Sequence, residues 1–172
     1  VLKGATLGTW GYGKIGQLVA GYGKAFGMRV LIWGREPSRQ RAISDGFEIA
    51  NSRDELFAQC DVLSLHLRLE SETVGIVKLD DLSRMKPTAL LVNISRSELI
   101  EADALISALN RGRPGIAAID VFETEPILQG HALLRLENCI CTPHIGYVEK
   151  DSYERYFGAA FDNIISFIKG TP

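Results

Sequence analysis

Several protein classes are excluded by what this 172-residue chain has little of. Its three cysteines, Cys60, Cys139 and Cys141, form an odd and sparse set, which argues against a disulfide-stapled scaffold and for a reducing compartment. Long hydrophobic runs are missing: stretches such as Ala89-Leu90-Leu91-Val92 are far too short to cross a bilayer. No basic-then-apolar leader pattern opens the chain, so the expectation is a cytoplasmic protein. An excess of one charge is missing too. With 19 Lys plus Arg against 21 Asp plus Glu, the net charge of −2 offers no field for a polyanion, and neither nucleic acid nor membrane is expected as a partner. Internal repeats and low-complexity tracts are likewise absent. What is present is a 46% share of hydrophobic residues, enough for one domain core, and 17 glycines.

Short β-branched or apolar runs alternate with longer amphipathic stretches, which is the pattern of a β-α-β-α chain. The spacing predicts strands over Ala5–Trp10, Arg29–Trp33, Phe47–Ala50, Asp61–His66, Thr88–Asn93, Ile116–Ile119 and Cys139–Thr142. Most are continuous apolar runs, as expected of parallel strands covered on both faces. Helical spacing places Ile15, Leu18, Val19, Tyr22 and Phe26 on one predicted core-facing stripe, and Leu99, Leu105, Ile106 and Leu109 on another. A last amphipathic helix carries Tyr156, Phe157, Ala160, Phe161, Ile164, Ile165 and Ile168 before a Gly-Thr-Pro stop. Right-handed crossovers then give an α/β fold: a doubly wound, mostly parallel sheet of seven strands with helices on both faces, its ligand crevice at the strands' carboxyl ends.

Gly11-Tyr12-Gly13-Lys14-Ile15-Gly16 follows the first predicted strand and opens the first helix, the context that a G-x-G-x-x-G loop requires. Gly11 permits a tight turn, Gly13 lets a diphosphate approach the backbone, and Gly16 allows close packing of helix on strand. The helix N-terminus, at Lys14 and Ile15, adds unpaired N–H groups and a positive dipole end. These features make a Rossmann-like dinucleotide site. At the end of the second strand, where an acidic residue would bind the ribose of NAD, the chain has Gly34 followed by Arg35, Arg39 and Arg41. Loss of the carboxylate and gain of guanidinium groups favour the extra phosphate of NADP. The expected cofactor is therefore NAD(P), with NADP preferred.

Three segments end the fifth, sixth and seventh strands: Asn93-Ile94-Ser95-Arg96, Asp120 to Pro126, and Thr142-Pro143-His144-Ile145-Gly146. They bring an arginine, a glutamate and a histidine to one rim. The set suits hydride transfer to a 2-keto acid: Arg96 grips carboxylate and carbonyl, His144 supplies the proton, and Glu125 orients the imidazole and favours its charged form.

With these segments the chain resembles the D-isomer-specific 2-hydroxyacid dehydrogenases, a group that includes phosphoglycerate, glycerate and D-lactate dehydrogenases. Leu2-Lys3-Gly4, Asp61 to His66 and Met85-Lys86-Pro87 extend the resemblance over nearly the whole chain. It implies Arg96 as the substrate-binding arginine, Glu125 as the partner of the acid–base His144, and Asp120 as the aspartate that orients the nicotinamide carboxamide. Ile94, Ser95 and Gly146 would line the nicotinamide ribose, and His66 the adenine-side wall. The chain departs from the family at Ser97, where glycine is usual, and at Arg68, where proline is common. The resemblance also implies a second, substrate-binding lobe, with Val1 and Pro172 close to the two crossings. Residues 1–172 are therefore expected to be an excised NAD(P)-binding domain, inactive alone and homodimeric through this domain. A corepressor-like nucleotide-sensing module on the same fold is the alternative.

Other motifs carry bland expectations. Cys139 and Cys141 alternate along a strand and are expected as packed thiols rather than as metal ligands with His144. His131 is expected to be a solvated loop residue.

Overall fold

The computed structural model describes residues 1–171. Its elements run β1 (Thr6–Trp10), α1 (Lys14–Ala25), β2 (Arg29–Trp33), α2 (Glu36–Ser44), β3 (Glu48–Ile49), α3 (Arg53–Gln59), β4 (Val62–Leu65), α4 (Leu79–Arg84) and β5 (Leu90–Asn93). They continue with α5 (Ala104–Asn110), β6 (Ile116–Ile119), β7 (Cys139–Cys141) and α6 (Lys150–Lys169), with 3₁₀ turns at Ser97–Leu99 and Ala132–Arg135. All seven expected strands occur. Five are shorter by one or two residues at their ends, where flanking residues such as Asp61, His66 and Thr142 keep a backbone bond to the neighbouring strand while the chain turns into a loop. Asp61, for example, accepts the Thr6 amide at 2.8 Å and pairs with Lys86 at 2.7 Å.

The sheet order is β3-β2-β1-β4-β5-β6-β7, every neighbouring pair parallel. Strand order reverses between β1 and β4, so the crevice at their carboxyl ends is the topological switch point. One face of the sheet is closed by α3, α4 and α5, whose Leu56, Phe57, Leu82, Met85, Leu105 and Leu109 pack with Leu63, Leu65 and Leu91 in the larger core. On the opposite face a smaller core joins Tyr12, Ala20 and Ala42 to Val30 and Ile32 beneath α1 and α2. The β5–β7 half of that second face is open. Ile116 and Ile140 are 46% and 61% exposed, beside half-buried Leu90, Val92 and Ala118 on the same face.

One of the two core-facing helical stripes differs from expectation. The buried residues of α1 are Gly16, Ala20 and Gly23, while Ile15, Leu18, Tyr22 and Phe26 are each about 60% exposed. The reason is steric. A Cβ on Gly23 would stand 2.5 Å from Leu7 Cδ2, and one on Gly16 would stand 2.3 Å from the Gly11 carbonyl oxygen, so only small residues let α1 lie this close to β1. The large apolar residues are driven to the outer side. The last helix forms, capped by Glu149 on the Asp151 and Ser152 amides and ended by Gly170 at φ 69°. None of its residues is buried. No helix among the described residues is long and apolar enough to cross a membrane.

Two glycines in α1 test this packing. Gly21 has open space around its missing Cβ, so Gly21→Ala should raise unfolding free energy by about 0.5–1 kcal/mol through backbone entropy and helix propensity. Gly16→Ala should instead lower it by about 1–3 kcal/mol, since backbone must shift. Urea denaturation of both variants measures this, and effects of the same sign would contradict the packing described.

Candidate active site

The glycine loop closes on backbone, not on side chains. Gly11 has φ 105°, and a Cβ there would lie 2.5 Å from the His66 carbonyl oxygen, so neither conformation nor space admits another residue. Gly13 is the N-cap of α1, lacks a side-chain cap and faces open space. An uncapped helix end behind an unobstructed glycine is where a diphosphate fits. Lys14 and Ile15 form the exposed first turn of that helix. Tyr12 turns the other way. It is buried, stacks edge-on against Phe47 and donates its hydroxyl to Asp45 at 2.8 Å, and burial followed by that bond pushes its phenol up to about 12. The tyrosine thus anchors the loop to the α2–β3 turn, a role that the motif spacing does not disclose.

His66, at the end of β4, is driven by burial down to about 4 and is neutral at neutral pH. Its Nε2 is buried with no protein partner. Beside the cradle of Gly11 and Gly16, this unpartnered ring nitrogen, like the open helix end, suits a nucleotide. The arginines behind Gly34 are not equivalent. Arg39 lies 5.0 Å from the Trp33 ring centroid and pairs with Glu36, so its charge is already taken. Arg41 sits in the last turn of α2, exposed and near Tyr12. Arg35 caps α2 at the tip of β2 and makes no ion pair among the described residues. Of the three expected guanidinium groups, one is therefore available beside Gly34.

At the other end of the rim, Asn93 shapes the loop after β5 by accepting the Ser95 amide at 3.0 Å and donating to the Arg96 carbonyl at 2.8 Å. Ser95 ties that loop to β4 through the Leu65 carbonyl at 2.7 Å, and Ile94 stays 40% exposed. Ser97 begins a 3₁₀ turn without positive φ, so serine is accepted where the resembling family has glycine. Arg68 is exposed, and its carbonyl accepts the Thr73 hydroxyl in the turn after β4.

Asp120 is 4% exposed, and its carboxylate receives the Thr142 hydroxyl, the Ile145 amide at 2.9 Å and the Gly146 amide at 2.8 Å. Burial alone would raise this carboxyl, yet those donors and the nearby His144 hold it below the usual range. Gly146 gives the carboxylate room: a Cβ there would crowd Asp120 Oδ2 at 3.0 Å. Thr142, absent from the expected site, is part of the clasp. Between its two anchored ends the loop turns through His144, at φ 53°, a backbone region uncommon for non-glycine residues.

His144 Nδ1 meets Glu125 Oε2 at 2.7 Å, and Glu125 Oε1 accepts the Phe122 amide at 3.0 Å. The His144 contact first, then that amide, lowers the Glu125 carboxyl. Arg96, Glu125 and His144 share the wall of one cleft of about 270 Å³ with Ser97, Val121 and Phe122. A larger cavity of about 290 Å³ lies behind the same loop, but neither Arg96 nor His144 lines it. Arg96 is exposed and bonds only its neighbour's carbonyl, which leaves its guanidinium available for an anionic ligand. His131 is not a solvated loop residue. It packs edge-on against Phe122 and accepts the Leu133 amide at 3.2 Å, capping a 3₁₀ turn. Cys139 and Cys141 face each other with sulfurs 3.7 Å apart, on the side of the larger core.

Because Glu125 is held low by His144, its contribution to folding is present at neutral pH and is lost as pH falls through its folded value. Carboxyl ¹³C NMR should place Glu125 below the ordinary glutamate range, and His144→Ala should move it upward. An unmoved Glu125 would contradict the pairing.

Comparison with known proteins agrees with this geometry. The sequence profile of the D-isomer specific 2-hydroxyacid dehydrogenase, NAD binding domain, matches residues 1–146. The chain is 69% identical to a solved oxidoreductase of Ralstonia solanacearum, with a TM-score of 0.94 over 100% of this chain and 50% of that one. A phosphoglycerate oxidoreductase of Vibrio cholerae is 53% identical, with a TM-score of 0.92 over 98% of this chain and 54% of that one. A hydroxypyruvate reductase of Blautia hydrogenotrophica is 39% identical over 99% of this chain and 52% of its own length. The chain spans about half the length of the curated relatives it matches. With its glycine cradle, the Asp120 clasp and the Arg96–Glu125–His144 rim, the chain belongs to the D-isomer specific 2-hydroxyacid dehydrogenases, as their NAD-binding domain.

Proposed function

We propose that the protein carrying this domain transfers hydride between NAD(P)H and a small 2-keto or D-2-hydroxy acid. The single observation that carries this reading is the shared cleft of Arg96, Glu125 and His144 beside the glycine cradle. Gly13 and the first turn of α1 would hold the diphosphate, with His66 and Gly34 on the adenosine side and Ile94, Ser95 and Gly146 on the nicotinamide side. When bound, the reduced nicotinamide supplies the hydride.

The chain's own residues do the rest. Arg96 would take the substrate carboxylate and carbonyl oxygen in its planar fork, opposing the negative charge that grows on that oxygen. Glu125 occupies Nδ1 of His144, which leaves Nε2 to hold and deliver the proton. Asp120 acts as a brace: its oxygens are engaged by Thr142, Ile145 and Gly146, so its contribution is the placement of the loop. The open apolar half of the sheet and the exposed stripe of α1 support a domain that works against further structure, a substrate lobe and a second copy of the chain.

His144→Ala should lower kcat by about 10²- to 10⁴-fold with cofactor affinity near normal, measured as NADH or NADPH oxidation with a panel of 2-keto acids. Arg96→Lys should lower kcat/KM even though charge is kept, because an ammonium cannot form the fork. Cofactor binding without turnover on any 2-keto acid in the parent would favour a nucleotide-sensing module instead.

NADP preference rests on Arg35 beside Gly34. One charge-assisted hydrogen bond of about 1.5 kcal/mol gives about a tenfold preference, reduced by salt at this exposed site. Arg35→Ala should erase most of the NADPH-over-NADH ratio in kcat/KM. Equal ratios in parent and variant would clear Arg35.

A further inference from the structure

The two cysteines of β7 are not used by the chemistry above, yet they lie immediately before the loop that performs it. Residues two apart on a strand point to the same face, and the sulfurs of Cys139 and Cys141 stand 3.7 Å apart. A strand rise of about 3.3 Å per residue sets their Cα atoms about 6.6 Å apart, at the upper end of the disulfide range, and their parallel side chains keep the Cβ atoms apart too, so the bond closes only if the strand bends. Both residues are half-buried, whereas a fully buried pair would be closed to solvent. Cys60 differs: it is fully buried against Gly8 and Leu56, with no second thiol beside it.

The strand that carries the pair is also the one best able to yield. β7 is an edge strand, bonded to β6 alone, so it can pucker without breaking a second ladder. The segment from Thr142 to Gly146 is tightly coupled to it. The Thr142 amide bonds the Ile119 carbonyl at 3.0 Å, the Thr142 hydroxyl bonds Asp120, and Asp120 holds the Ile145 and Gly146 amides beyond the turn at His144. Drawing two sulfurs together at 139 and 141 pulls on Thr142 and thereby on this clasp.

We propose that Cys139 and Cys141 are a reversible redox couple, whose intrastrand disulfide displaces the His144 loop in response to peroxide. The Cys141 sulfur attacks one peroxide oxygen. The S–O bond forms, the O–O bond breaks, and the departing hydroxide takes the thiol's proton as water. Cys139 sulfur then attacks the Cys141 sulfenic acid, forming the S–S bond, and the hydroxide released takes the Cys139 proton as a second water. Two thiols and one peroxide thus give one disulfide and two waters. Burial, with the neighbouring sulfur of Cys141, pushes the Cys139 thiol up to about 12, so Cys139 is not the first nucleophile and reacts only as its proton passes to the leaving hydroxide.

Trypsin places both cysteines in one peptide, residues 136–150, and Cys60 in another, residues 54–68. After treatment of the purified protein with hydrogen peroxide, mass spectrometry should show the first peptide lighter by two hydrogens and closed to alkylation. The Cys60 peptide should remain alkylated. In ¹H–¹⁵N spectra the Ile145 and Gly146 amides should shift on oxidation and return with dithiothreitol. Cys139→Ser and Cys141→Ser should each abolish the mass change and the reversible shift. Added oxygens in place of the lost hydrogens, or a link between two molecules, would overturn the proposal. So would an intrastrand disulfide that leaves the Ile145 and Gly146 amides unmoved.

Discussion

The buried carboxylate of Asp120 gathers one hydroxyl and two backbone amides from the segment after β7. A carboxylate so little exposed is tolerable only when its oxygens are satisfied, and here every donor comes from the loop whose shape the site needs. Thr142, Ile145 and Gly146 are thereby fixed, and His144 is left between them in a left-handed conformation that a free loop would relax. Glu125 completes the arrangement by holding the imidazole from the side. Geometry at the rim of Arg96, Glu125 and His144 depends on a residue that does not itself line their cleft.

Parallel pairing explains why these groups meet at all. Every strand from β1 to β7 runs the same way, so the turns after β1, β2, β4, β5, β6 and β7 open on one edge of the sheet. Small residues then set how close helix and strand can come. Gly11 and Gly16 touch backbone where any Cβ would collide, while Gly13 keeps the approach to the α1 N-terminus clear. The same close packing that leaves the α1 N-terminus open turns the large side chains of α1 outward. Exposure of Ile15, Leu18, Tyr22 and Phe26 is thus a consequence of the binding loop.

Much of this is legible in the residues. The seven strands, the glycine loop and the three rim segments come from alternation, apolar runs and turn residues, signals that act locally. What periodicity cannot say is which stripe of a helix faces inward. On α1 the apolar stripe and the glycine–alanine stripe are both regular, and the choice is made by contact with Leu7, Val30 and the Gly11 carbonyl. Where Arg39 points is likewise set by neighbours, Glu36 on its own helix and the ring of Trp33. His131 and Tyr12 depend on partners that only the fold supplies, Phe122 for one and Asp45 with Phe47 for the other. Asp120 is expected at the site from the sequence, but its three donors show why it is needed there.

If one rim of the sheet receives a dinucleotide along its length, from Gly34 to Gly146, titration of the ¹⁵N-labelled protein with NADH reads it residue by residue. Shifts are expected at the amides of Gly13, Lys14, Ile15, Gly34, Ser95 and Gly146, with the α3–α5 face unaffected. Shifts confined to that opposite face, or saturation without change at Gly13 and Gly146, would contradict it.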